Sequence, residues 1–374
     1  MRLLDRYLLR ELLLPLGFCL CGFLVIWSSI ELITELPELQ KAKLRGWDVP
    51  EFCLMQVPEK LLIILPVSLL LGMLYALTQH SRSNEITAMR AAGIGLWRLG
   101  APYLVVGFLL SLGVLALGEI VVPQANARSE EIMTRRTRTA GAARSSKTVS
   151  NLAFENTRLR HNWVIGLFHL ETAVMEKLEV KRRLPDGTLS ILYAERGIYT
   201  NNAWALFNVK ELRAASPSDP TLSPHVYTNF LFAAHLTETP DEIRSEVKIS
   251  AAMGRQKARR ADIPIADLRD YLRLHPQPPP AIKHWIDTKL HGRLSAPWTC
   301  FVVVLIALPF GTGTNRRNVF AGVAGSIFIY FAFYVLSLVG LALGGGGWLP
   351  PVLAAWLPHL IFSTLAVTMI VRAR

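Results

Sequence analysis

Six long apolar runs crowd the two ends of this chain, three before residue 123 and three after residue 294, and the stretch between them is polar and patterned for strands. A helix needs about 20 apolar residues to cross the ~30 Å hydrocarbon core of a bilayer. The runs fall at Leu12–Leu36, Leu61–Leu77, Leu99–Val122, Ser295–Phe310, Val319–Leu343 and Trp348–Val371. The second and fourth are short and are expected to extend into their flanks or to thin the bilayer locally. A cleavable signal peptide is the alternative for the first run. That run is too long for one, and no small-x-small cleavage site follows it. Six crossings put both ends of the chain on one side.

Basic residues indicate which side. The chain ends and short connections on one side carry Arg2, Arg6, Arg10, Arg82, Arg90, Arg98, Arg316, Arg317, Arg372 and Arg374. The opposite short connections carry Lys41, Lys43, Arg45 and Lys60, and the Gly344–Gly347 turn carries no charge. The positive-inside bias therefore predicts cytoplasmic termini and an outward-facing middle segment. Long segments translocate largely regardless of charge, so the net charge of +12 does not argue for nucleic acid. Cysteine usage agrees with this topology. Cys19, Cys21 and Cys300 lie in spans and Cys53 in the first outer connection, which leaves the middle segment without a disulfide or a cysteine metal site.

Residues 1–11 place Arg2, Arg6 and Arg10 opposite Leu3, Leu4, Tyr7 and Leu8, the pattern of a short interfacial helix feeding the first span. Beyond Val122 a helical extension passes into a basic linker. From about Thr148 to Val247 the period is near two. Strands are predicted at Ser150–Leu159, Trp163–Leu170, Lys177–Leu184, Leu189–Thr200, Ala203–Ala214 and Val226–Leu236. Pro185-Asp186-Gly187 and Asn201-Asn202 supply turns, and Pro217, Pro220 and Pro224 are expected to break the chain before the last strand. Ile263–Leu274 reads as a short helix, Pro276–Pro280 as a stiff break, and Ala281–Arg293 as the return to the membrane. The fold class expected is an α-helical membrane protein with six transmembrane helices and an inserted all-β, jelly-roll-like periplasmic domain. Its divisions are a membrane half over 1–122, the β-domain with flanking linkers over 123–293, and a second membrane half over 294–374.

The connection between spans two and three, Ser81 to Gly95, holds the sharpest local signal. Ser83 is suited to cap a helix, Glu85 sits in its first turn, and Gly93 ends it. Such a helix is too short to stand alone and must be held by contacts. Ile86 and Met89 offer a small apolar face, with Glu85 and Arg90 for charged contacts. One reading is a plain capped turn. The other is a coupling helix that seats in a cytosolic partner and transmits its motion. In the spans, Ala321, Gly322, Gly325 and Ser326 form a small-residue strip, and Pro66, Pro297 and Pro309 are sites for kinks; both also fit ordinary helix packing. Glu31 and Glu35 sit one turn apart and are read as snorkelling to the interface.

Several chemistries fall away. Gly141 to Thr148 nearly spells a phosphate-binding loop, but Ser146 stands where the second glycine belongs, no strand precedes it, and it lies on the side away from ATP. The nine histidines lack ligand spacing, and Gly311-Thr312-Gly313 lacks the third glycine of a dinucleotide loop. No catalytic residue, metal site or cofactor is expected, and any ATP hydrolysis belongs to a separate protein.

Five stretches in order resemble the lipopolysaccharide export permease family, the LptF/LptG type. They are LeuAspArgTyrLeuLeuArgGlu at 4–11, LeuProValSerLeuLeuLeuGly at 65–72, AsnGluIleThrAlaMetArgAlaAlaGly at 84–93, GlyGluIleValValProGln at 118–124 and HisGlyArgLeuSerAlaPro at 291–297. The first and fourth lean toward the LptG side. The resemblance covers essentially the whole chain. It implies a bacterial inner-membrane permease that pairs with a second, paralogous permease and a dimeric cytosolic ABC ATPase, extracts lipopolysaccharide, and passes it to a periplasmic β-protein bridge. Glu85 matches the family's coupling-helix glutamate, and Lys41 and Lys43 correspond to a basic cluster used for lipid phosphates.

The job is physically demanding. Each methylene drawn from the bilayer costs about 0.8 kcal/mol, so several acyl chains cost tens of kcal/mol unless an apolar route is offered throughout. The anionic head group asks for cations at the outer mouth, where Lys41, Lys43, Arg45, Arg128, Arg135, Arg136 and Arg138 are available; a solvated loop beside ordinary lipids is the plain alternative. Phe230, Phe232 and Ala234 alternate on one face of the last strand, as lipid lining or as core. Two other classes remain. A membrane enzyme acting on a lipid-linked glycan would need acids or histidines clustered at the outer mouth, where Glu31, Glu35 and Glu119 qualify. A scaffold would use the outer domain to recruit partners.

Overall fold

The computed structural model describes residues 3–41, 46–137, 148–184, 187–216, 219–254, 263–311 and 319–372. They form two compact units, Met1–Arg136 with Ala281–Arg374, and Thr137–Pro280.

In the first unit the apolar runs become helices α1 (Leu3–Lys41), α2 (Asp48–Arg82), the short α3 (Glu85–Ala91), α4 (Leu96–Ala116) and α5 (Val122–Thr137), then α8 (Pro280–Ser295), α9 (Thr299–Gly311), α10 (Val319–Gly345) and α11 (Pro351–Arg372). A π-helical turn at Leu117–Val121 joins α4 to α5, and a 3-10 turn at Ala296–Trp298 joins α8 to α9. Among the described residues, six stretches are long and apolar enough to cross a membrane. The two short runs do extend into their flanks, over Asp48–Arg82 and Pro280–Gly311.

α1 differs from expectation. The residues read as a separate interfacial helix are the first turns of one 39-residue helix that runs on through Pro15. The reason is a continuous stripe one residue wide: Leu4 packs on the core, Leu8 and Leu12 are fully buried, and Leu16 follows at the next turn. The kink sites behave unequally. α2 is continuous through Pro66, whereas Pro297 lies in the 3-10 turn.

α2 and α9 form the centre of this unit. About half of the most apolar window of α2 is buried (56%), against 6% for α1 and 11% for α10. Tight crossings explain the close packing. A Cβ on Gly72 would lie 2.9 Å from the backbone of Leu16, and one on Gly340 would lie 2.5 Å from the Ala354 carbonyl oxygen. Of the strip expected in the fifth span, Ser326 is fully buried and Gly325 meets the Phe310 ring.

In the second unit, β1 (Thr148–Asn156), β2 (His161–His169), β3 (Met175–Arg183), β4 (Leu189–Thr200), β5 (Ala203–Ser216) and β6 (Asp219–Ala233) make one antiparallel sheet in sequential order. Among the described strands this is an up-and-down meander. Asn201 and Asn202 both take positive φ, which matches the twist of a two-residue hairpin and pins Thr200 opposite Ala203. Pro217 lies outside the described residues, and Pro220 and Pro224 do not break the chain before the last strand as expected. β6 passes through Pro220 and Pro224 because it is an edge strand, where a missing N–H costs no ladder bond on the outer side. Register shifts between Glu211 and Leu212 and between Ala214 and Ser216 absorb the misfit.

One sheet face carries the core, with Trp163, Ile165, Leu178, Val180, Trp204 and Leu206 packed against Ile243 and Val247 of α6 (Pro240–Gly254). That helix replaces the end of the region expected to be strand. Its start is a capping box: the Glu242 N–H donates to Thr239 Oγ1, and the Thr239 N–H donates to Glu242 Oε2. α7 (Ile265–Leu274) follows, close to its predicted range.

Candidate functional site

The turn between α2 and α4 is built from its own backbone. Ser83 does not cap α3 as expected. Its hydroxyl donates to the Gln79 carbonyl at 2.7 Å, the same carbonyl that accepts the Ser83 N–H at 3.0 Å, so the serine closes α2 instead of opening α3. Asn84 then turns left-handed with φ 60°, and α3 runs for seven residues. Gly93, at φ +84°, ends it. The Gly93 N–H reaches the Arg90 carbonyl at 2.9 Å and the Ile94 N–H reaches Met89 at 3.0 Å, the paired bonds of a Schellman stop.

Ile86 is 1% exposed, inside the core cluster that holds Leu8, Leu12 and Leu77, and Met89 packs on its edge. Both apolar residues thus serve mainly to seat α3. The face left outward consists of Thr87, Ala88, Arg90, Ala91 and Ala92. Glu85 lies at the boundary. Its Oε2 is 2.7 Å from His80 Nδ1 and receives the Tyr7 hydroxyl at 3.1 Å. The Tyr7 and His80 rings are 5.5 Å apart. Close by in sequence, Arg98 at the start of α4 binds Asp5 of α1 at 2.9 Å.

The opposite ends of the helices hold a second set of contacts. Leu39 of α1, Phe52 of α2 and Ile132 of α5 form a small buried cluster. Lys41 ends α1 just past Leu39, exposed Arg128 lies one turn before Ile132, and Arg135 lies one turn after it. The cluster therefore brings the elements that bear these cations together. Lys43, Arg45 and Arg138, and the side chains of Lys41, Arg135 and Arg136, lie outside the described residues. Glu31 pairs with Lys60 at 2.9 Å, Glu35 accepts from Gln56 at 3.3 Å, and Glu119 on the π-turn pairs with Arg293 at 2.6 Å. Each of the three acids that a glycan enzyme would need is thus engaged on a different partner.

In the second unit Phe230 and Phe232 are 53% and 45% exposed, while Ala233 and Leu231 turn to the core. Phe230 meets Phe207 edge-on across the ladder at 5.4 Å. The core alternative for these two rings does not hold. They lie on the sheet face away from the packed tryptophans.

Several residues escaped sequence reasoning. Asp5 and Arg293 lie in stretches that carry the family resemblance but have no role of their own there, and the sequence reads Tyr7 only as part of the apolar face of the first helix. Tyr7 is 78 residues from Glu85, a pairing that a single sequence does not reveal. His80 carried no signal at all, although its five-residue distance from Glu85 spans the turn.

With this geometry in place, the comparisons are specific. The family model described as lipopolysaccharide export system permease LptF/LptG matches residues 6–372. The lipopolysaccharide export system permease protein LptG of Haemophilus influenzae is 23% identical over 387 residues, covering 99% of each chain.

Proposed function

The chain belongs to the lipopolysaccharide export system permease LptF/LptG family, and from that premise we propose that it is the membrane half of an ATP-driven machine. In this reading it sits in the bacterial inner membrane with both termini cytoplasmic. It pairs with a paralogous permease on a dimeric cytosolic ATPase, extracts lipopolysaccharide, and hands it to a periplasmic β-bridge. α3 is the coupling helix, presenting Glu85 and Arg90 above a surface of small side chains. Lys41, Lys43, Arg45, Arg128 and Arg135 gather the anionic head group, and Phe230 and Phe232 offer apolar surface to acyl chains.

The observation that carries the reading is the build of α3. A seven-residue helix has no stability of its own, yet here it is seated by Ile86, stopped by Gly93, and turned so that alanines, a threonine and an arginine face outward. Small side chains permit close approach to a partner's groove. Exposed Phe230 and Phe232 support an apolar contact in the outer domain.

The test is Glu85→Ala in the assembled exporter. A hydrogen bond to a charged group is worth ~1.5–3 kcal/mol, so association with the ATPase or turnover should fall about ten-fold or more while insertion is retained. Wild-type association together with wild-type export would return the segment to a plain turn.

A further inference from the structure

The Glu85 carboxylate is partly spoken for within the chain itself. Its Oε2 takes the Tyr7 hydroxyl and His80 Nδ1 together. His80 is 2% exposed, and its Nε2 is buried without a hydrogen-bond partner among the described residues. A proton on Nε2 would lose water and gain no acceptor, so the tautomer that fits carries its proton on Nδ1 and donates it to Glu85. Both donors converge on one oxygen. The side chain remains 35% exposed, which leaves the carboxylate open to solvent on its other side.

Those two donors come from different helices. Tyr7 belongs to α1 and His80 to the end of α2. Ile86 adds an apolar seat in the cluster of Leu8 and Leu12, and Asp5 to Arg98 straps α1 to the start of α4. Left-handed Asn84 on one side of α3 and Gly93 on the other bound the short helix with turns. α1 is also the least buried of the six spans, with 6% of its apolar window covered. Its core contacts in the first turns lie on one stripe, Leu8, Leu12 and Leu16, and the Leu16 backbone packs against Gly72 of α2.

We propose that Tyr7 and His80 are positioning residues for Glu85: both fix its carboxylate by one oxygen, His80 holding it to the end of α2 while Tyr7 joins α3 to α1, so that displacement of α3 by a cytosolic ATPase is delivered to the first span. The inference rests on the coupling reading of Glu85. It adds the internal linkage by which motion leaves α3, and it names α1 as the span that receives it.

The experiment uses the complete exporter in vesicles containing lipopolysaccharide, and reads both ATP hydrolysed and lipopolysaccharide released. Tyr7→Phe and His80→Leu should each lower the lipid released per ATP by about ten-fold, the low end for a hydrogen bond to a charged group. His80→Asn, whose amide N–H can stand near the Nδ1 position, should recover most of that loss. Tyr7→Phe combined with Glu85→Gln should be no worse than Glu85→Gln alone, because residues acting through one another are not additive. Should His80→Leu fail to insert, Tyr7→Phe carries the test, since that side chain is at the surface and keeps its ring. Full release per ATP in Tyr7→Phe, or additive losses in the double variant, overturns the inference while Glu85→Gln remains impaired. Normal ATPase association and release in Glu85→Gln overturns the coupling reading itself.

Discussion

Glu211 is 5% exposed and accepts from Ser190 at 2.7 Å and from Arg182 and Arg213 at 3.1 Å. Burial works to raise its carboxyl, but the bonds from Ser190, Arg213 and Arg182 outweigh that and bring it to about 2. A carboxylate held below its unfolded value of 4.5 stabilises the fold above that pH and loses the contribution as pH falls toward 2. Hydrogen exchange in β4 and β5 of the full chain, corrected for intrinsic rates, should therefore quicken between those values. Glu211→Gln should abolish this dependence and cost ~3 kcal/mol at neutral pH, since it leaves two arginines short of their counter-charge. Strands that still loosen over the same pH range in the variant would assign the effect to another group. Glu238 is a similar hub. Burial again works upward, and hydrogen bonds from His161 and Trp163 hold its carboxyl below the usual range. The contrast with Glu85 shows what a single sequence conveys at this scale. An acid in a first helical turn is visible from local pattern alone, but the Tyr7 and His80 donors are set by tertiary packing.

At the scale of elements, the crossing of α1 on α2 depends on one missing methyl group. A Cβ at Gly72 would fall 2.9 Å from both the Cα and the N of Leu16, atoms that cannot swing aside. Gly72→Ala should push the helices apart at a cost of ~1–3 kcal/mol and lower the melting temperature of the detergent-solubilised chain. Gly17→Ala, which meets nothing within 4 Å, should leave it unchanged. Equal melting of all three chains would contradict the crossing. The elements themselves were largely legible. Apolar runs of membrane length announce helices whatever they pack against, and Asn201-Asn202 fixes a hairpin by backbone preference. α6 was not foreseen because Val247 and Ile249 continue the alternation of the strands before them. Its Thr239-Pro240-Asp241-Glu242 box was the better signal. β6 extended further than expected because the rule that proline breaks strands is relaxed at a sheet edge.

For the whole molecule, the layout of three spans, an inserted domain and three spans follows directly from the hydropathy of the sequence. Which spans lie central and which lie bare does not, because α1 and α10 are as apolar as α2 yet far less covered. Orientation is a separate matter of charge. Single cysteines placed in the β-domain and in the 312–318 connection, in a background lacking the four native cysteines, should label from opposite faces of the membrane. Labelling of both from one face would sink the topology, and with it the proposed route from membrane to bridge. The most direct measurement of the central claim is lipid transfer. The chain, the proposed partner permease and the proposed ATPase are reconstituted in vesicles with lipopolysaccharide, and a soluble β-domain carrying a photocrosslinker is added outside. The account predicts that lipopolysaccharide accumulates on the acceptor only while ATP is hydrolysed and only when this chain is present. It also predicts that replacing Lys41 and Lys43 by Glu reduces the yield, by a margin that shrinks as salt screens exposed charges over about 8 Å. Equal transfer without ATP, or with this chain left out, would contradict it.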